Sequence, residues 1–184
     1  MKALIVCGSG NPEGFTEAMC QGAERALRSE GWEVCTVRPY GMDIRHCSGC
    51  SGCRESGRCV VRDGMDGIYG LFGESDLLIL ATPVHFSGPS SILKTVVDRF
   101  NPCWYGKGDH PRACAALVCG GGDNPVFGNI ISMMKALSAT AGMEWAGELC
   151  LGGTDSGDKA EYGMRAEEFT SGLLSGRTGN RRRL

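Results

Sequence analysis

Short uninterrupted apolar runs recur along the chain. Each is closed by glycine or proline, and most are followed by a stretch whose apolar positions fall three or four apart. Lys2 to Cys7 (KALIVC) is the first such run and reads as a strand buried on both faces, stopped by Gly8-Ser9-Gly10. Thr16 to Ser29 then carries Met19, Ala23, Ala26 and Leu27 at helical spacing, with Thr16 as the expected N-cap and Gly31 as the terminator. Glu33 to Arg38 (EVCTVR) alternates and is rich in β-branched residues, a second strand. Pro39 to Asp63 shows no period, and an irregular segment of that length inside a compact domain is usually functional. Met65 to Phe72 predicts a short helix despite Gly67 and Gly70. Leu77 to Ala81 (LLILA) is a third buried strand, closed by Thr82-Pro83. Ser91 to Phe100 is amphipathic, with Leu93, Val96, Val97 and Phe100 on one side. Ala113 to Cys119 (ACAALVC) is a fourth buried strand, stopped by Gly120-Gly121-Gly122. Val126 to Ala141 predicts a helix ended by Gly142, Trp145 to Leu151 a fifth strand, and Lys159 to Leu174 a closing helix.

Strands that alternate with helices imply an α/β fold with a parallel sheet covered on both faces. Five strands fit a flavodoxin-like, doubly wound sheet of order 2-1-3-4-5, here with a cysteine-rich loop (41–63) inserted after the second strand. In such sheets ligands lie beyond the carboxyl ends of the strands, where the strand order reverses. Three loops leave those ends: Gly8 to Phe15, Thr82 to Ser90 and Gly120 to Asp123. With 184 residues the chain is expected to form one domain over 1–176, followed by a basic, flexible tail at 177–184 that holds Arg181, Arg182 and Arg183.

The formal net charge of −2 leaves no electrostatic footprint for nucleic acid. No apolar run approaches the roughly 20 residues that a membrane helix needs, and Ala3 to Cys7 is too short for a signal-peptide core, so a cytoplasmic protein is expected. Its 11 cysteines are then reduced thiols and ligands, and the odd count agrees.

Four of them stand together. Cys47, Cys50, Cys53 and Cys59 follow the pattern C-x2-C-x2-C-x5-C within CSGCSGCRESGRC. Small residues between them let a chain wrap an inorganic cube whose irons each take one thiolate, so one [4Fe–4S] cluster suits the spacing. The bacterial ferredoxin run closes instead with x3 and a proline, and its last cysteine serves a second cluster. Zinc sites usually split into two separated pairs, so zinc suits the run less well. Unmetallated thiols or partial disulfides are the bland alternative.

The loop GSGNPEGFT, Gly8 to Thr16, joins a strand to a helix start, where backbone N–H groups attract phosphate and Gly10 and Gly14 allow close approach. No lysine precedes Thr16, which disfavours a nucleoside-triphosphate loop, and the G-x-G-x-x-G frame fails at Glu13. A single phosphate monoester needs no more than such a hydroxyl- and amide-lined turn. An ordinary strand-to-helix turn is the alternative.

With these segments in place, the chain resembles the flavodoxin-like NAD(P)H-dependent FMN reductases, and among them the iron–sulfur flavoproteins. The match lies in GSGNPEGFTEAM, in the cysteine loop running into CVVRDGMDGIYGLFGESDLLILATPV, and in PVHFSGPSSILKTVVDR. The resemblance implies that Ser9, Asn11, Gly14, Phe15 and Thr16 hold the phosphate and ribityl chain of FMN. It implies that Pro83, Val84, His85, Phe86 and Ser87 line the isoalloxazine ring and that Gly120, Gly121, Gly122 and Asp123 close its other side. It also implies a [4Fe–4S] cluster on the four cysteines, NAD(P)H as co-substrate, and a homodimer or homotetramer that brings one subunit's cluster near another's flavin. Asn11, Pro12 and Glu13 put no cation in the phosphate loop, so the helix N-terminus would meet the phosphate charge. His85 stands where relatives often have tyrosine. Lys94, Asp98 and Arg99 read as helix and interface residues.

The expected function is that of an FMN-dependent oxidoreductase and electron-transfer protein, coupling two-electron flavin chemistry to a one-electron cluster and serving a small-molecule or ferredoxin-type partner. Its alternatives are a cluster-free NAD(P)H-dependent FMN or quinone reductase and a non-enzymatic electron carrier or redox sensor. Beyond the cofactors, only His85 and Cys103 are candidates for a chemical role. Cys7, Cys20, Cys35, Cys114, Cys119 and Cys150 read as small core residues. Trp104 and Tyr105 read as a flavin cover, a subunit contact or core.

Overall fold

The computed structural model describes residues 1–106 and 108–176; the expected basic tail lies outside them. Five parallel strands, β1 (Lys2–Cys7), β2 (Glu33–Val37), β3 (Leu77–His85), β5 (Ala113–Cys119) and β6 (Glu144–Leu151), stand in the order β2-β1-β3-β5-β6. A two-residue strand, β4 (Gly88–Pro89), folds back antiparallel on the end of β3. Numbered without β4, this is the expected flavodoxin-like order. The helices are α1 (Phe15–Ser29), α2 (Cys53–Ser56), α3 (Met65–Glu74), α4 (Ser91–Arg99), α5 (Gly128–Thr140) and α6 (Lys159–Leu174), with a 3-10 turn at Asn101–Tyr105.

The continuous apolar runs of β1, β3 and β5 are buried on both sides, which is why they show no alternation. One core joins alternate sheet residues, Ala3, Ile5, Leu77, Ile79, Ala115 and Leu117, to Met19, Ala23 and Leu27 of α1 and Ala166 and Leu173 of α6. The other joins Leu4, Val6, Leu78, Leu80 and Ala116 to α3, α4 and α5.

Several boundaries differ from the sequence reading. Strand β3 does not stop at Ala81 but runs through Thr82-Pro83, with Pro83 in register with Cys119. Proline forgoes a ladder hydrogen bond, which is tolerable here because β3 turns directly afterwards into the β4 hairpin. Thr16 does not cap α1: Gly14 is the N-cap, without a side-chain bond, and Thr16 lies buried inside the first turn. Gly31 and Gly142 do end their helices, at φ +78° and +76°. Helix α5 begins two residues later than expected, and α3 runs on to Glu74. Cys35 is half-buried rather than core, Cys150 is half-buried but packs against the core, and Trp104, 70% exposed, is not core packing.

Helices α1 and α6 cross at glycine. A Cβ on Gly22 would stand 2.0 Å from the Gly163 carbonyl oxygen and 2.9 Å from its carbon, so the two backbones touch there. Gly22→Ala is expected to force the helices apart. Overpacking of this kind costs about 1–3 kcal/mol and outweighs the gain of up to about 1 kcal/mol in helix propensity. A drop in melting temperature would register it. Gly67→Ala on α3, where an added Cβ meets nothing within 4 Å among the described residues, is expected to raise the melting temperature instead.

Candidate functional site

The three loops at the carboxyl ends of the strands are tied to one another by specific contacts. In the first, the Asn11 N–H donates to Ser9 Oγ (3.2 Å) and the Glu13 N–H to Asn11 Oδ1 (3.0 Å), so both side chains shape the turn. The Gly14 N–H closes it on Asn11 O at 3.1 Å. Among the described residues no side chain caps α1, so no capping side chain takes up the N–H groups of its first turn. Phe15 turns inward and packs edge-on against Tyr162 of α6 at 4.8 Å. Thr16 Oγ1 meets Cys119 Sγ at 3.3 Å, which pins the helix start to the end of β5. The ring of Tyr40 lies over Gly10, 2.9 Å from where a Cβ would be.

The second loop is a hairpin. His85 pairs with Gly88, and the two residues between them, Phe86 and Ser87, have φ +49° and +60°. That is the conformation of a type I′ turn, ordinarily filled by Asn-Gly, and a phenylalanine held there is strained. Phe86 is fully exposed and His85 exposed. Asn129 of α5 steadies the turn through Ser87 O (3.3 Å). The third loop touches the second: a Cβ on Gly120 would meet Val84 at 3.0 Å. Asp155 accepts from the Gly122 N–H at 2.8 Å, and the Gly153 N–H donates to Gly122 O. Asp123 is exposed beside them.

Residues 39–63 form a lobe of their own. Ser51, Gly49 and Gly57 take left-handed conformations at φ +60°, +67° and +67°. These bends carry the chain past Cys47 (half-buried), Cys50 (exposed), Cys53 (buried, first residue of α2) and Cys59 (half-buried). Val60 folds back over Gly52, where a Cβ would clash at 2.8 Å. Burial pushes the Cys53 thiol up, and the nearby thiols of Cys59, Cys47 and Cys50 push it further, which places all four within electrostatic reach of one another. The sulfurs do not meet at one point: among the described residues no three His, Cys, Asp or Glu side chains are close enough to hold a metal ion. An all-thiolate set in a glycine-jointed segment is nonetheless the donor chemistry of an iron–sulfur cluster. All eleven cysteines are free thiols. His46, beside Cys47, is exposed.

What holds this lobe is a buried ion pair. Arg99, the last residue of α4, is 1% exposed, and the Asp63 side chain is fully buried. Arg99 Nη1 donates to Asp63 Oδ2 (2.7 Å) and to Arg45 O (2.7 Å); Nη2 donates to Asp63 Oδ1 (3.2 Å) and Val61 O (3.1 Å). The backbone N–H groups of Arg45 and Met65 also donate to Asp63, at 3.0 Å each. Both ends of the cysteine segment are thus clamped at one point. Arg99 is buried within its own chain, so its reading as an interface residue is corrected.

The same helix serves the first loop. Ser90, the N-cap of α4, accepts from the Leu93 N–H at 3.1 Å and donates its hydroxyl to Gly8 O. One nine-residue helix, about 13 Å long, therefore joins the Gly8–Phe15 turn to the cysteine lobe. A cleft of about 920 Å3 opens away from the strand ends, between Cys59, Tyr69, Cys103 and His110. Burial pushes the Cys103 thiol up to about 11, which leaves it little thiolate for redox work at neutral pH.

A further pair escaped sequence reasoning. Glu17, buried in the first turn of α1, takes a hydrogen bond from Arg38 Nε at 2.9 Å. Burial pushes its carboxyl up, but Arg38 outweighs that and holds it below the usual range. Arg38 is the cation nearest in sequence to Tyr40, but it is spent on Glu17.

The chain is similar in sequence and in fold to known proteins. The NADPH-dependent FMN reductase family covers residues 1–150 of the chain. The chain belongs to that family. An iron–sulfur flavoprotein of Archaeoglobus fulgidus is 34% identical over 141 residues, 74% of this chain and 63% of that protein. One of Methanocaldococcus jannaschii is 33% identical over 124 residues, 67% of this chain and 64% of that protein. The chain thus spans less than two thirds of the length of these two relatives. A solved NAD(P)H:quinone oxidoreductase of Methanothermobacter marburgensis shares the fold, with a TM-score of 0.72 over 94% of this chain and 98% of that one, at 16% identity. Among the described residues no helix is long and apolar enough to cross a membrane.

Cysteine reactivity should follow the lobe's geometry. The Gly52 N–H and the Ser48 side chain lower the Cys50 thiol, which is exposed, while burial raises Cys114 and pushes Cys119 up to about 11. In metal-free protein, iodoacetamide is expected to modify Cys50 ahead of Cys114 and Cys119, as peptide mass spectrometry would show.

Proposed function

We propose that the chain is an FMN-dependent oxidoreductase of the iron–sulfur flavoprotein type, acting in the cytoplasm as a homodimer or homotetramer. Ser9, Asn11, Gly14, Phe15 and Thr16 would hold the phosphate and ribityl chain, chiefly through backbone N–H groups of the turn and of the first turn of α1. Pro83 to Ser87 and Gly120 to Asp123 would flank the isoalloxazine ring, with His85 and Phe86 on the exposed hairpin. Cys47, Cys50, Cys53 and Cys59 would ligate a [4Fe–4S] cluster. When bound, the two cofactors exchange electron pairs and single electrons respectively. The chain's own residues bind, orient and separate them, and none is needed as acid, base or nucleophile. NAD(P)H or a ferredoxin-type protein would supply the electrons.

One observation carries this reading. The four thiols are not on a loose loop but on a lobe clamped by a buried arginine, at the far end of the helix that anchors the phosphate-type turn. The experiment is anaerobic purification followed by absorbance, with iron and acid-labile sulfide measured against FMN. About four irons and four sulfides per flavin are expected.

The second reading, a cluster-free FMN or quinone reductase, draws on the sulfurs' failure to converge. It expects flavin without iron, and NAD(P)H oxidation unchanged by Cys50→Ser. A flavin-loaded protein that shows neither iron nor NAD(P)H turnover would favour a non-enzymatic carrier or sensor.

A further inference from the structure

Arg99 has five N–H groups, and the lobe uses four of them. The fifth, on Nε, is buried and has no partner among the described residues. A buried N–H left unpaired costs about 1–3 kcal/mol, so a native protein rarely keeps one without a use. The Arg99 guanidinium is fully charged: burial disfavours the charge, but Asp63 outweighs that cost, and the Cys59 sulfur bears on the same group. Tyr69 stands against both. Its hydroxyl donates to the Arg99 carbonyl, and the Cys59 thiol lies beside it. With that hydroxyl proton committed, the Nε–H of Arg99 remains an unused buried donor on a guanidinium that grips Arg45 O and Val61 O, each two residues from a cysteine of the set.

We propose that Arg99 is a positioning and tuning residue for the cluster: four of its N–H groups hold the neck of the cysteine lobe, and the fifth is reserved for the sulfur side at Cys59. This rests on the cluster reading above and goes beyond it, because it gives one residue control of the cluster's potential. A donor and a positive charge beside a ligating thiolate stabilise the reduced, more negative cluster, so they raise its reduction potential.

Potentiometric titration of the anaerobically purified protein, followed by electron paramagnetic resonance, tests the proposal. Arg99→Lys keeps the charge and removes the planar fork and Nε–H. It is expected to shift reduction toward the oxidised form by about tenfold, or about 59 mV for a one-electron couple. The flavin couple should move much less. A cluster potential unchanged in Arg99→Lys overturns the proposal and leaves the cluster reading intact. Wild-type protein lacking iron and sulfide overturns both. A second measurement stays informative if the variant fails to fold. In reduced wild-type protein grown with 15N-arginine, the cluster spin is expected to couple to an arginine nitrogen; no coupling overturns the proposal.

Discussion

Asp63→Ala is expected to be the most damaging single substitution outside the core. It leaves the Arg99 guanidinium buried without its carboxylate, and breaking a buried pair by removing one partner costs about 3–5 kcal/mol. It also frees the Arg45 and Met65 N–H groups, so the lobe should open at its neck. Urea denaturation would give the loss, and limited proteolysis should find new cleavage sites within 41–63. Asp63→Asn keeps an acceptor and should lose less. The stability difference between wild type and Asp63→Asn is also tied to pH. Burial pushes the Asp63 carboxyl up, but hydrogen bonds from Arg99, Arg45 and Met65 bring it down to about 2. The pair's contribution is then complete above about pH 4, the unfolded carboxylate value, and fades as pH falls toward 2. The gap of nearly two pKa units is worth about 2 kcal/mol. The stability difference between metal-free wild type and Asp63→Asn should shrink across that window; a gap that stays constant would show that Asp63 is not held ionised by the clamp.

Cys53→Ala should empty the lobe of iron while sparing the flavin. Cys53 is the buried member of the set and opens α2, and its thiol is the one on which the other three act. Removing it leaves three thiolates for four irons. Iron and sulfide should fall to background, while FMN stays near its wild-type level. The flavin would be held at the strand ends, in loops fixed by Thr16–Cys119, Ser90–Gly8 and Asp155–Gly122. Absorbance of the anaerobic protein should lose its broad visible shoulder and keep the two flavin bands. Iron retained in full by Cys53→Ala would remove this cysteine from the ligand set. FMN lost together with iron would show instead that the lobe and the strand-end loops fold as one unit.

The apolar runs of β1, β3 and β5 announced buried parallel strands, because a strand covered on both faces needs no polar alternation. The amphipathic spacing of α1 and α4 told which positions meet the sheet, and four cysteines within thirteen residues announced a common partner. Gly31 and Gly142 marked helix ends through a local conformation. Each of these signals is short-range: a period or a spacing repeated within one element. Arg99 and Asp63 lie 36 residues apart, and Arg99 and Arg45 54. Their meeting leaves no period in the sequence, and Arg99 alone read as a helix and interface residue. Thr16 was read as a cap because hydroxyl residues often start helices, but the tertiary contact with Cys119, 103 residues away, draws it inside and leaves Gly14 as the cap. The sequence by itself thus determined the sheet, its helices and the loops that leave the strand ends. Only the tertiary structure decided which charges are buried together, since burial makes an unpaired charge costly, and only the folded chain shows which partner relieves that cost.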